Sequence, residues 1–281
     1  MNPRLVFLVL ALGAPPACFA DSVETPVPDN SSGGITYLTG SYTERTVLVS
    51  LVGEAGARSR ADILDPDHEF EFDVYVPENY DPSSPAGLLV YVSPIESGEI
   101  PVKWKEIFDR RNLIWVSVNR SGNTTPRVRR IAEARLSVTF VRQNYEIDPK
   151  RVYISGMSGG GQISSVVASL YPRLFKGGIF LCGVDPWSER DADPWSENPP
   201  ENFDTIQENR YVFLSGTEDF KLAAIARAYR VYKRAGVESS KLIIIEDMGH
   251  ELPDARNYER ALAFLDIGVA DSEGPSYIEV Q

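Results

Sequence analysis

Histidine and cysteine are almost missing from this chain: its 281 residues hold two of each. A structural zinc site draws about four imidazole, thiolate or carboxylate groups together, so a transition-metal cluster has little to build from. No metal or organic cofactor is expected. Basic residues are also in deficit, with 28 Lys and Arg against 40 Asp and Glu and a formal net charge of −12. A surface this acidic repels phosphate backbones and anionic bilayers, which argues against nucleic acid as a partner and favours solubility. Nor does any apolar run reach the roughly 20 residues that a membrane-spanning helix needs.

The main apolar stretch lies at the start. Arg4 precedes Leu5 to Ala14, then come Pro15, Pro16 and Cys18-Phe19-Ala20 before Asp21. One basic residue, a short apolar run and small residues at −3 and −1 describe a signal peptide cleaved after Ala20. Residues 1–20 are therefore expected to direct export to the periplasm or the medium, with no stable membrane insertion after cleavage. Lipid attachment at Cys18 is the alternative, but Pro15 and Pro16 stand before Ala17 where such a signal wants Leu and a small residue. Cleavage removes Arg4 and no acid, leaving 27 basic against 40 acidic residues, a formal −13. It also leaves Cys182 alone, and one thiol cannot close an intrachain disulfide. Residues 21–34, rich in Pro, Ser, Gly and Asp, read as a flexible leader, and residues 35–281 as one catalytic domain.

Within that domain, strand-like and helix-like stretches alternate. Thr46 to Val52, Glu69 to Val76, Gly87 to Ser93 and Leu113 to Val118 carry β-branched and aromatic runs. The first two, with no helix expected between them, suggest an antiparallel edge. Leu88 to Val92 and Leu113 to Val116 are continuously apolar, as strands buried on both faces are. Val128, Ile131, Ala134, Val138, Val141 and Tyr145 fall in steps that mark one helical face. Then follow a strand at Arg151 to Ser155, a helix through Tyr171, strands at Gly178 to Cys182 and Arg210 to Ser215, a helix at Phe220 to Ala235, a strand at Lys241 to Ile245 and a helix at Ala255 to Leu265. The pattern predicts an α/β fold, a mainly parallel sheet with helices on both faces. Asp185-Pro186-Trp187-Ser188-Glu189 recurs as Asp193-Pro194-Trp195-Ser196-Glu197. Two copies make no repeat architecture, so 185–197 reads as an acidic surface loop, or else as a cleft wall carrying Trp187 or Trp195.

Chemistry concentrates at Gly156-Met157-Ser158-Gly159-Gly160, between a strand and a helix. A G-x-S-x-G turn in that context holds its serine in a strained conformation at the sheet edge, behind which a helix points its positive end at developing negative charge. A serine hydroxyl needs a base. Of the two histidines, His250 follows the last predicted strand and lies downstream of Ser158, the chain order this fold uses, whereas His68 precedes the serine and reads as an exposed loop residue. The orienting acid belongs between them, which selects Asp219, with Glu218 and Asp185 as rivals. For the oxyanion, Gly159 supplies one backbone N–H, and Ile95 the other because Pro94 has none. Trp104, Asn119, Asn123 and Trp187 are candidate substrate-cleft residues on loops near the strands' carboxyl ends.

With these residues placed, Asp148 to Gly160, Tyr171 to Gly177, Gly216 to Asp219 and Met248-Gly249-His250 resemble the exported esterases of the α/β-hydrolase fold related to polyhydroxyalkanoate depolymerases and feruloyl esterases. The resemblance spans roughly residues 70–265 and implies hydrolysis of a small-molecule or polymer-derived carboxylic ester through an acyl-enzyme. It departs at Ser93-Pro94, where those families carry His-Gly, and in lacking their paired cysteines. A serine peptidase or amidase on the same three residues, and a binding protein that keeps the fold without catalysis, remain the alternatives.

Overall fold

The computed structural model describes residues 37–186 and 202–268. The expected signal and leader segments, Cys18, Trp187 and Trp195 lie outside the described residues. The described strands form one eight-stranded sheet in the order β1-β2-β4-β3-β5-β6-β7-β8. They are β1 Gly40–Val47, β2 Glu69–Val76, β3 Ala86–Val92, β4 Leu113–Val118, β5 Ile147–Met157, β6 Gly177–Leu181, β7 Arg210–Gly216 and β8 Ser240–Ile245. β1 pairs with β2, and β2 with β4, antiparallel; every other pairing is parallel.

Two apolar layers cover the sheet. Helices α1 Leu48–Arg58, α3 Arg127–Asn144, α4 Gly159–Leu170 and α6 Leu222–Arg234 contribute to the layer that holds Phe70, Phe72, Val90, Ile154 and Phe213. Helices α2 Lys105–Arg110 and α7 Ala255–Leu265 share the other with Trp115, Tyr153 and Leu181. Helix α5, Phe203–Glu208, completes the set. All residues of β3 and β4 are buried, as their unbroken apolar runs require.

Strand order places the site. From β3 the chain turns to β4 on one side, then crosses back through α3 to β5 on the other side of β3. The loops leaving β3 and β5 therefore diverge, opening a crevice at their carboxyl ends where open α/β sheets bind ligands. Ser93 and Ser158 follow those two strands directly.

Two expectations are corrected here. Thr46 to Val52 is not a strand: β1 ends at Val47 and a helix, broken at Gly53 (φ 68°), lies between the antiparallel edge strands. Its β-branched residues invited the strand reading, but burial of Leu48 and Leu51, three apart, on the core decided the outcome. Trp104 is not in the cleft. It is fully buried, its ring stacks on Tyr258 at 3.8 Å and lies 6.1 Å from Trp115, and its indole N–H donates to Pro253 O at 3.3 Å. The segment after β3 runs down over the sheet face rather than staying at the edge, so an aromatic this large becomes core. Trp104→Ala should destabilise the fold by about 3–5 kcal/mol, the usual cost of emptying a buried indole site. Urea unfolding followed by far-UV circular dichroism measures it, and a loss below about 1 kcal/mol would contradict the packing.

Candidate active site

Ser158 joins the sheet to a helix in a single residue. Its N–H donates to Leu181 O at 2.8 Å as the last rung of the sheet, and its carbonyl accepts from Gln162 N at 3.1 Å as the first bond of α4. Meeting both demands forces φ 54°, ψ −120°, a conformation that L-residues avoid and that surrounding structure must hold in place. The motif glycines permit the crowding: a Cβ on Gly160 would sit 1.9 Å from Val92 O, and one on Gly156 would sit 2.5 Å from Gly160 O. The turn lifts the Ser158 side chain off the sheet edge.

His250 and Asp219 arrive on two loops that are tied together. Thr217 N–H donates to Ile245 O, Glu218 N–H to Met248 O and Asp247 N–H to Thr217 Oγ1, at 2.9, 3.1 and 2.9 Å. Across this junction His250 Nδ1 lies 2.8 Å from Asp219 Oδ1, and His250 Nε2 lies 2.9 Å from Ser158 Oγ. The Asp219 carboxylate is wholly buried, and donors surround it: Ser215 Oγ to Oδ2 at 2.6 Å, and Lys221 N to Oδ1 at 2.9 Å. Burial pushes its carboxyl up, but the Ser215 hydroxyl, the Lys221 N–H, His250 and the Cys182 thiol together hold it below the usual carboxylate range. Because Asp219 accepts, the histidine's Nδ1 carries the proton, which leaves Nε2 as the acceptor facing the Ser158 hydroxyl.

The rivals for the acid stand apart from this path. Glu218 is exposed, and Asp185 pairs with Arg127. His68 is not an exposed loop residue: its ring packs edge-on against Phe70, with Nε2 3.3 Å from the buried Glu133 carboxylate. Cys182 is buried behind Asp219, where burial and then the neighbouring carboxylate push its thiol up to about 12. Among the described residues, Cys182, Asp219 and His250 form the one group spaced to hold a metal. With the thiol protonated and Asp219 Oδ1 bonded to His250 Nδ1, those atoms are committed to each other.

The residues expected to hold the oxyanion lie on α4 and on the loop after β3. Gly159, first residue of α4, has no carbonyl of its own helix to bond. The Ile95 N–H donates to Ser93 Oγ at 3.2 Å, within its own loop. Beneath them lies a residue that the sequence pattern hid. Arg130, buried on α3, donates from Nη2 to Ser93 O at 2.7 Å and from Nη1 to Asn123 Oδ1 at 3.2 Å, and Asn123 N–H donates to Pro94 O at 3.0 Å. Asn123 itself sits against the elbow, its Oδ1 2.1 Å from where a Cβ on Gly159 would be. Asn119, by contrast, is not free for substrate: its Oδ1 accepts from Gly98 N at 2.8 Å and its Nδ2 donates to Glu71 at 3.3 Å, pinning one loop to β2.

Residues 128–267 match the model of the prolyl oligopeptidase family (Peptidase_S9). Acetylxylan esterase A of Aspergillus oryzae is 30% identical over 92 residues, covering 28% of this chain and 30% of that protein. Poly(3-hydroxyalkanoate) depolymerase C of Paucimonas lemoignei is 39% identical over 46 residues, covering 16% and 11%. The chain thus spans about a third or less of the length of these curated relatives. Among solved structures, the feruloyl esterase module of Clostridium thermocellum superposes with a TM-score of 0.61 at 14% identity, covering 84% of this chain and 92% of that one. The esterase Est2 of Thermogutta terrifontis gives 0.53 at 17% identity, covering 74% and 93%. A mixed sheet with an antiparallel edge, a strand–serine–helix elbow and this set of structural neighbours give the chain the α/β-hydrolase fold.

Proposed function

We propose that the chain hydrolyses carboxylic esters through an acyl-enzyme, with Ser158 as nucleophile, His250 as base and then acid, and Asp219 as the group that orients His250. The observation that carries this reading is the unbroken path from Ser158 Oγ through both imidazole nitrogens to a buried, ionised Asp219, at the amino end of α4. As Oγ attacks the ester carbonyl, Nε2 takes its proton, and the imidazolium formed is stabilised by Asp219 without proton transfer to the acid. The imidazolium then protonates the leaving alkoxide, and a water activated by the same nitrogen releases the acid. The Gly159 N–H is one oxyanion donor. We assign the second to Ile95, whose 3.2 Å bond to Ser93 Oγ is long enough to exchange for the developing charge. Asn123, against Gly159, lines the cleft.

Small-molecule or polymer-derived esters are the proposed substrates, since the matched relatives include an acetylxylan esterase and a polyhydroxyalkanoate depolymerase. Export under residues 1–20 is part of the same proposal, on the signal pattern Arg4, Leu5 to Ala14, Cys18-Phe19-Ala20. No helix among the described residues is long and apolar enough to cross a membrane. The prolyl oligopeptidase match over residues 128–267 supports a second reading, cleavage of peptide bonds by the same three residues. One comparison separates them. The purified protein is expected to release p-nitrophenol from p-nitrophenyl acetate with a burst of about one equivalent per chain, as an accumulating acyl-enzyme gives, and to leave peptide p-nitroanilides intact. Turnover of the anilides alone would exchange the two readings.

A further inference from the structure

Phe220 follows Asp219 directly and is 73% exposed, the opposite of its neighbour's burial. Its ring lies 4.4 Å from the His250 imidazole, centroid to centroid, with the planes 35° apart. A lone exposed aromatic needs no explanation in itself, but this one stands against the imidazole that must deliver a proton. In the reaction proposed above, the leaving oxygen has to come within about 3 Å of His250 Nε2 to be protonated. The acyl carbonyl, meanwhile, points toward Gly159 and the loop after β3. The alcohol part of the ester therefore departs past the imidazole, against which the exposed Phe220 ring lies.

We propose that Phe220 is the specificity platform for the alcohol portion of the substrate, favouring ring-bearing alcohols over short alkyl ones. This rests on the ester-hydrolase reading and adds to it the side of the substrate that is selected. A flat or cyclic group laid on the open part of the phenyl ring removes apolar surface from water on both partners and adopts the offset or edge-on geometry that aromatic pairs prefer. A methyl or ethyl group reaches little of that surface. The Lys221 ammonium, 5.6 Å from the Phe220 centroid, is an exposed contact of the weak kind that a packed ring displaces. Because the side chain stands in solvent, its truncation leaves the core packing intact.

The test is the ratio of kcat/KM for benzyl acetate to that for ethyl acetate, measured for the wild type, Phe220→Ala and Phe220→Tyr. Comparing the ratio between proteins cancels the difference in leaving-group acidity. It should fall about 5- to 30-fold in Phe220→Ala, the range expected for losing one aromatic contact, and recover in Phe220→Tyr. An unchanged ratio overturns the proposal, including the case where both esters slow equally, which would make Phe220 a support for the imidazole. A wild type inert on these and on p-nitrophenyl esters overturns the ester reading itself; an active wild type with an unaltered ratio in Phe220→Ala overturns this inference alone.

Discussion

Ser158→Ala is expected to lower kcat on p-nitrophenyl acetate by about 10⁶, and His250→Ala by a similar factor, as for other enzymes in which the two act as one unit. The reason is geometric. At 2.9 Å from Nε2, the hydroxyl has a base already in place, and neither partner does chemistry without the other. The double variant should accordingly be no slower than either single one, and residual turnover should come from the α4 terminus and its backbone donors. Folding should be nearly untouched: the Oγ makes its one recorded bond to His250, and alanine meets the φ of 54° no worse than serine does. A stability change within about 1 kcal/mol is expected, the range of substitutions that empty no core site. Steady-state kinetics beside mass spectrometry after fluorophosphonate treatment check both halves, with one adduct on the wild type and none on Ser158→Ala. A Ser158→Ala variant that keeps a tenth of wild-type turnover would remove the serine from the mechanism.

Much of this architecture could be read from the sequence because its signals are local. β2 and β4 occupy the residues that their β-branched and aromatic runs marked, and α7 spans Ala255–Leu265, where the last helix was expected. The elbow declares itself because few sequences satisfy strand, serine, glycine and helix in ten residues. What stayed hidden depends on contacts between distant segments. On α3 the apolar periodicity pointed to Val128, yet Val128 is half exposed while Arg130, Glu133 and Ser137 are buried. Those three polar residues have helical spacing of their own, and their burial is tolerable because the Ser93 carbonyl accepts from Arg130, Ser121 and Arg129 donate to Glu133, and Ser137 donates to the Glu133 carbonyl. Nothing in the segment 127–144 announces Ser93 or Ser121. Likewise the donors around Asp219 are a hydroxyl four residues before it and a backbone N–H two residues after it, which sequence shows as Ser215 and Lys221 without showing the turn that aims them. Ile95 shows the same limit: the sequence says that Pro94 has no N–H, but not that the Ile95 N–H turns to the Ser93 hydroxyl of its own loop.

Those same donors shape what Asp219→Asn will do. Removing a buried triad carboxylate in favour of an amide can cost about 10⁴ in kcat, much of it because an amide NH₂ facing the imidazole enforces the wrong tautomer. Here the Lys221 N–H also points at Oδ1, so an NH₂ at that position would meet a donor, whereas at Oδ2 it meets the rotatable Ser215 hydroxyl, which can turn to accept. The amide oxygen is thereby kept opposite His250 Nδ1, and the productive tautomer survives. What disappears is the charge that stabilises the imidazolium, so kcat should fall by less than about 10⁴. Stability depends on pH through the same carboxyl. Because the folded carboxyl is held below its usual range, its contribution is present above that range and fades as pH falls through the lowered folded value. Asp219→Asn should therefore lose this part of the acid dependence. Asp219→Ala should instead destabilise by about 3 kcal/mol or more, since it strands buried donors. The experiment is kcat of both variants beside Glu218→Gln at pH 7, with unfolding curves at pH 7 and in acid. Wild-type kcat in Asp219→Asn together with a collapse in Glu218→Gln would transfer the orienting role to the exposed neighbour.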